Sequence, residues 1–437
     1  MKRFVKVTLI VALAALISVP ALAEYSATGF MRVKGEVQTW NFGAGRTAGL
    51  SADAHSHPFV EQRIRIKNTF SNNEFAKAVF YIESDQTWGI GCTGVSANVC
   101  RNGGGNIGAD RVNIELKNLY IWFKVPDTNH TFKVGIQGFK DPYKFIFILN
   151  DVSGLVYNTK LNDVGLRLAW LKPVEGNRNF ADDYDIYLAD ANFKAGDNLN
   201  VGLHLYYTND DSTRTSGFTN DIYTAGITGN TKLGDVALNA FFVYQFGTQD
   251  APLGTDMDHA AYAGNIGAKA KLGPGSAFFE ALYVSGDDSA TDTDINNWIP
   301  VTGTNGPFYI APQDYIISYN AEQHTNAASL FALDTNGNLG RGLIHVAAGY
   351  KQKLTDSVTG KIGIGWASDA EKGTSGTAFL DEERSAFEVN ARVDTTITKG
   401  LTVGLVGAYA TLDSFNLTAT TEADDQFLAY IPLTYKF

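Results

Sequence analysis

Along much of this 437-residue chain, charged and apolar residues alternate one by one. Met31, Val33 and Val37 alternate with Arg32, Lys34, Glu36 and Gln38. Val60, Ile64 and Ile66 alternate with Glu61, Arg63, Arg65 and Lys67. Ala76, Ala78, Phe80 and Ile82 alternate with Lys77, Tyr81, Glu83 and Asp85, and Phe387, Val389, Ala391 and Val393 with Glu388, Asn390, Arg392 and Asp394. A period of two is a strand with two unlike faces. A face this rich in charge is not a dry core, because an unpaired buried charge is prohibitively costly. A charge turned to lipid at mid-bilayer costs ~2–4 kcal/mol, so in a membrane the charged faces must turn inward, onto water.

The last segment, 426–437, carries Phe427, Ala429, Ile431, Leu433, Tyr435 and Phe437 on one parity and Gln426, Thr434 and Lys436 on the other. Terminal residues of soluble domains usually fray, whereas a barrel in lipid must close its last strand onto its first. At the other end, Lys2, Arg3 and Lys6 precede an apolar run from Val7 to Val19 and the small-residue site Ala21-Leu22-Ala23. This predicts a signal peptide at 1–23 and a mature barrel at 24–437, with net charge moving from −11 to −14 as three basic residues leave. No other stretch is apolar enough for a helical span, and no basic run suggests nucleic-acid binding. The 27 Phe and 20 Tyr supply interfacial girdles, and the 44 Gly suit close strands and loops. A secreted soluble all-β protein is the competing class.

Eighteen segments read as strands: 25–41, 58–70, 74–88, 110–124, 130–138, 154–159, 163–172, 184–193, 199–208, 221–232, 236–246, 259–271, 276–285, 342–354, 360–368, 384–397, 401–412 and 426–437. Tight turns of Gly, Asn, Asp and Pro, as at Leu233-Gly234-Asp235 and Lys399-Gly400, alternate with long polar connections, the longest at 286–340. The segment 154–159 has the faintest pattern. It is kept because without it short and long connections fall out of phase, although sixteen strands remain an alternative. The fold expected is an all-β transmembrane antiparallel barrel with short periplasmic turns and long extracellular loops.

With these strands in place, the chain resembles the bacterial outer-membrane porins, in particular the homotrimeric porin family. The likeness runs from the first strand to Phe437 and is densest in AVFYIESDQTWG (78–89), GADRVNIELKNLYIWFKVP (108–126), FKVGIQ (132–137) and NDVSG (150–154). It implies a passive channel in the Gram-negative outer membrane, three barrels per assembly, and a third loop folded into each pore. It also implies recognition of the aromatic end, Tyr435 and Phe437, by the barrel-assembly machinery. Eighteen strands depart from the sixteen usual in general porins. The third loop can be argued from residues as well: 139–153, FKDPYKFIFILNDVS, is too apolar for a free loop, and pressing it onto the inner wall would present Asp141 and Asp151 to the lumen. Bases on the first strands would face these acids and set up a transverse field across the constriction. An equally weighted reading is that the charges only keep the lumen wet and hold the loop. The candidate pore-lining residues are Arg32, Lys34, Arg63, Arg65, Lys67, Glu83, Lys117, Lys133, Asp141, Asp151 and Arg167.

Cys92 and Cys100, the two cysteines, share one Gly-rich external loop and are expected to form a disulfide. Asp287, Asp288, Asp292, Asp294 and Asn296 form a weak Ca²⁺ candidate that lacks EF-hand spacing, and a solvated acidic loop is favoured. No catalytic motif or cofactor fingerprint appears, and the chain is not read as an enzyme. Among aromatics, Phe80, Tyr120, Trp122 and Tyr435 are placed on the outer face. The leading expectation is a diffusion channel for small hydrophilic solutes and ions. The alternatives are a substrate-specific channel, and a structural or adhesive barrel whose loop 286–340 binds a partner.

Overall fold

A computed structural model describes residues 24–39, 50, 53, 55–90, 102–108, 112–176, 182–212, 219–250, 256–289, 293–301, 314–318, 322, 329–331, 333, 336–373 and 381–437. The segment 1–23, Cys92, Cys100 and Asp292 lie outside the described residues.

Eighteen antiparallel strands close into one barrel. They are β1 (Glu24–Gln38), β2 (His57–Ser71), β3 (Ala76–Trp88), β4 (Glu115–Lys124), β5 (Thr131–Lys140), β6 (Leu149–Leu161), β7 (Val164–Val174), β8 (Tyr184–Lys194) and β9 (Leu199–Asp210). Then follow β10 (Thr219–Leu233), β11 (Val236–Asp250), β12 (Asp256–Leu272), β13 (Gly275–Val284), β14 (Leu343–Lys353), β15 (Val358–Ser368), β16 (Ser385–Thr398), β17 (Leu401–Asp413) and β18 (Gln426–Lys436). Each expected strand has a counterpart, and the faint segment 154–159 is the middle of the longer β6.

Closure is made by β1 and β18, in register from Phe30↔Lys436 to Gln38↔Leu428. Past the last pair, the Gly29 and Phe437 backbones exchange two hydrogen bonds of 2.9 and 3.1 Å. Gly29 is needed there, since a Cβ would stand 2.1 Å from the Arg65 carbonyl oxygen. No sheet edge is left between first and last strands, which is the condition for crossing lipid.

The pleat sorts the faces as the alternation predicts. In β1, Arg32, Lys34, Glu36 and Gln38 are buried inside while Met31 remains 41% exposed outside. The outer surface carries exposed Leu203, Leu205, Ile227, Phe242, Ile266, Ile362, Leu405, Ile431 and Leu433. Rings stack across neighbouring strands at both rims. Tyr187, Tyr207, Tyr223 and Phe246 form a run toward the long loops. Phe123, Phe132 and Tyr157 form one toward the short turns, with Tyr435 against Phe437 nearby. Two aromatic belts around an apolar band match the profile of a bilayer.

One strand breaks parity. Between β3 and β4, Tyr81 faces Asn118 but Ile82 faces Leu116, so Lys117 is an extra residue in a bulge. Beyond it Tyr120 pairs with Val79 and Trp122 with Lys77, residues of the inner face. Tyr120 and Trp122 therefore line the lumen rather than the lipid face expected from unbroken alternation.

The interior is narrowed by two inward segments. β5 and β6 pair up to Lys140↔Leu149, so the third connection is only 141–148, shorter than the expected 139–153. Its Tyr143, Ile146, Phe147 and Ile148 are wholly buried. Tyr143 packs against His204, Tyr206 and Phe241 on β9 and β11. The described parts of the long connection after β13 also turn inward. Trp298 Nε1 donates to the Ile146 carbonyl at 2.8 Å, and the Val301 amide to that of Phe147 at 2.8 Å. Tyr315 and Ile316 pack on Val406, Ala408, Leu428 and Tyr430 of β17 and β18.

Candidate channel constriction

The lumen wall divides into two halves. From β14 through the closure to β5, inward positions carry Lys351, Lys361, Arg392, Lys436, Arg32, Lys34, Arg63, Arg65, Lys67, Lys117 and Lys133. From β6 to β13 they carry buried aliphatic residues such as Val156, Leu171, Ile186, Val243 and Leu282 together with Thr, Asn, Gln, Tyr and His and a few charges, with the 141–148 turn lying over the middle.

Many cations of the first half are held by acids on adjacent strands. Arg63 grips Asp85 through Nε and Nη2, at 2.6 and 2.5 Å. Arg65 pairs with Glu83, which also lies 3.6 Å from Arg63 and 3.7 Å from Lys117. Lys117 reaches Asp151 at 2.7 Å, and Lys34 pairs with Glu36 and, at 3.3 Å, with Glu61. Across the lumen Arg167 pairs with Asp190 at 2.5 Å, and Asp190 also accepts from His204 and Tyr206. Among the described residues, Lys67, Lys133, Lys351, Lys361 and Lys436 make no ion pair.

The two acids expected to face these bases do not do so. Asp141 is buried inside its own turn and accepts four backbone amides, from Tyr143, Phe145, Phe147 and Ile148, at 2.6 to 3.0 Å. A tight apolar turn leaves these amides without solvent, and one carboxylate satisfies them all. Asp151 stands on β6 itself, beside Lys117. Acids and bases are therefore neighbours on one wall, and the uncompensated charge there is positive.

Several contributors were not among the expected pore-lining residues, Tyr120, Trp122 and Lys77 first among them. Lys133 Nζ sits 4.4 Å from the Tyr120 ring centre and Lys77 Nζ 5.4 Å from that of Trp122, giving two cation–π contacts at the lumen surface. Arg392 stands on the charged face of its strand, and Lys361 and Lys351 follow it across the ladder on β15 and β14. Together with Arg32, Lys436 and Asp394 they line a cavity of about 500 Å³ toward the short-turn end. Glu322 enters this cavity from the long connection after β13. Its burial raises its pKa, but the Arg392 and Arg32 guanidiniums outweigh that, and the net shift is downward. A second cavity, of about 320 Å³, lies on the other half against Lys160, Asn192, Lys194, Asn200, Thr228 and Asn230.

The remaining candidates take simple places. Among the described residues no three His, Cys, Asp or Glu gather as a metal site. Asp287 accepts the Ser289 amide, and Asp294 pairs along β12 with Asp258. Tyr435 and Phe437 are exposed on the outer rim beside the closure.

No family model matches the chain, and no curated protein matches it. Solved structures do. Pseudomonas aeruginosa OccK3 (OpdO) aligns with TM-score 0.57 at 13% identity, over 97% of this chain and 98% of that one. Pseudomonas aeruginosa OpdQ gives 0.57 at 12% identity over 94% and 97%, and Pseudomonas aeruginosa OccK2 (OpdF) in complex with glucuronate gives 0.53 at 12% over 95% and 98%. These neighbours are outer-membrane porins with eighteen-strand barrels, so the strand count that departs from general porins is the one they share. The chain has their fold, a closed eighteen-strand antiparallel barrel.

Proposed function

We propose that the protein is an outer-membrane channel of a Gram-negative bacterium, passing small hydrophilic solutes and ions by passive diffusion and favouring anions. The observation that carries this reading is the cationic wall from β14 to β5, to which every strand but β17 contributes a Lys or Arg, facing a lumen narrowed by the 141–148 turn. Fixed charge on a narrow aqueous path raises the local concentration of counter-ions and lowers their entry barrier. The apolar outer band between aromatic belts supports outer-membrane lipid as its surroundings. By the same resemblance we propose homotrimeric assembly and recognition of Tyr435 and Phe437 by the barrel-assembly machinery. The test is the reversal potential of refolded protein in a planar bilayer under a KCl gradient. A chloride-selective potential supports the reading, and an absence of conductance removes it.

A narrower reading, selectivity for organic acids, is favoured by one feature. Tyr120 and Trp122 place flat faces beside Lys133 and Lys77, a surface suited to a ring that bears a carboxylate. One structural neighbour was crystallised with glucuronate, a solute of that kind. Liposomes carrying the protein should then take up glucuronate faster than glucose, and equal rates would leave the general channel.

A further inference from the structure

The contacts of Glu322 are those of a bound carboxylate. Arg392 Nη1 and Nη2 donate to its two oxygens at 2.6 and 3.1 Å, a fork meeting a carboxylate edge-on. Asp394 accepts from Arg392 Nε at 2.8 Å, which aims the fork into the cavity. Tyr430 OH donates to Oε2 at 3.1 Å, and Arg32 Nη1 lies 3.4 Å from Oε1. Arg32, Arg392 and Tyr430 come from three strands, β1, β16 and β18, and converge on one point of the lumen wall. Among the described residues the buried Arg32 Nε has no hydrogen-bond partner, so the cradle retains a donor that Glu322 does not use.

We propose that Arg32, Arg392 and Tyr430 form a carboxylate-binding station on the solute path, and that Glu322 is a tethered competitor that holds it until a solute carboxylate exchanges with it. This rests on the anion-channel reading. The carboxylate of Glu322 and that of a solute need the same fork, so they exclude each other. Glu322 thereby sets the threshold at which an organic anion occupies the station, while leaving the rest of the cationic wall open to chloride. Without the competitor the two guanidiniums would hold a solute anion longer. With it, desolvation of Arg392 is already satisfied and the solute trades one carboxylate for another at little cost.

The test is the block of chloride current by succinate, with full-length wild type, Glu322→Gln and Glu322→Asp in planar bilayers. If Glu322 fills the station about nine-tenths of the time, its removal lowers the half-blocking succinate concentration about tenfold, by the fraction of competent sites gained. Glu322→Asp keeps the charge but is one methylene short of Arg392, so its half-blocking concentration also falls, though less. A simple charge effect would leave Glu322→Asp like wild type. Conducting variants with wild-type succinate block overturn the proposal and leave the channel reading standing. Failure of the channel reading shows separately, as a silent wild type. If Glu322→Gln does not refold, the charge-conserving variant decides by the same criterion.

Discussion

The two halves of the lumen wall are made from the same kind of strand and end in opposite roles. On the half running from β14 through the closure to β5, every strand but β17 puts Arg or Lys on the inner face, and Tyr315 and Ile316 cover only the Val406, Ala408, Leu428 and Tyr430 stretch of β17 and β18. On the half from β6 to β13, the inward surface mixes buried Val, Leu, Ile and Ala with hydroxyl, amide and aromatic groups. Tyr143, Phe147 and Trp298 lie against it as a small core inside the barrel. The difference teaches that the inner face of a barrel is not one environment. Where a turn supplies apolar side chains the wall packs like a protein interior, and where none arrives the charges keep it wet.

The largest expected effect comes from removing the division. Asp141→Ala takes away the acceptor of four turn amides, so 141–148 should lose its packing on β9 and β11. Single-channel conductance should rise severalfold and selectivity should weaken, and an unchanged conductance would show that the turn does not limit the pore. Next is Arg63→Ala with Arg65→Ala. It should move the reversal potential toward cations and cost about 3–5 kcal/mol in unfolding, because buried Asp85 and Glu83 lose their partners. An unmoved potential would mean that these pairs only bind the wall together. A smaller change is expected from Lys361→Gln, which removes one unpaired cation from the larger cavity and should lower anion preference modestly. Asn230→Gln at the other cavity should change nothing. Equal effects would erase the distinction between the halves. Smallest is the effect of salt on the wild type: raising KCl from about 0.1 to about 1 M shortens screening from about 10 to about 3 Å and should flatten the selectivity without abolishing it.

Much of this molecule was legible from residue order. The period-two pattern located all eighteen strands, including 154–159, which connection parity alone retained. It also placed Arg32, Lys34, Arg63, Arg65 and Glu83 on the inner face. Three features were not legible. The bulge at Lys117 reversed the faces of Tyr120 and Trp122, since counting by twos presumes a regular ladder. The turn amides captured Asp141, because hydrogen-bond geometry within eight residues depends on backbone angles that spacing does not reveal. Glu322 met Arg32 and Arg392 in one cavity, at separations in sequence that no local pattern encodes.

The sequence by itself determined the barrel, its two faces and the charge stored inside, because pleat and solvent preference act residue by residue, and it left eighteen strands or sixteen for the structure to decide. Only the tertiary structure decided which charges neutralise one another, which wall the turn covers and where a loop carboxylate comes to rest. Those outcomes depend on closing the sheet. Closure sets β1 beside β18 and lets groups hundreds of residues apart compete for the same few ångströms of lumen.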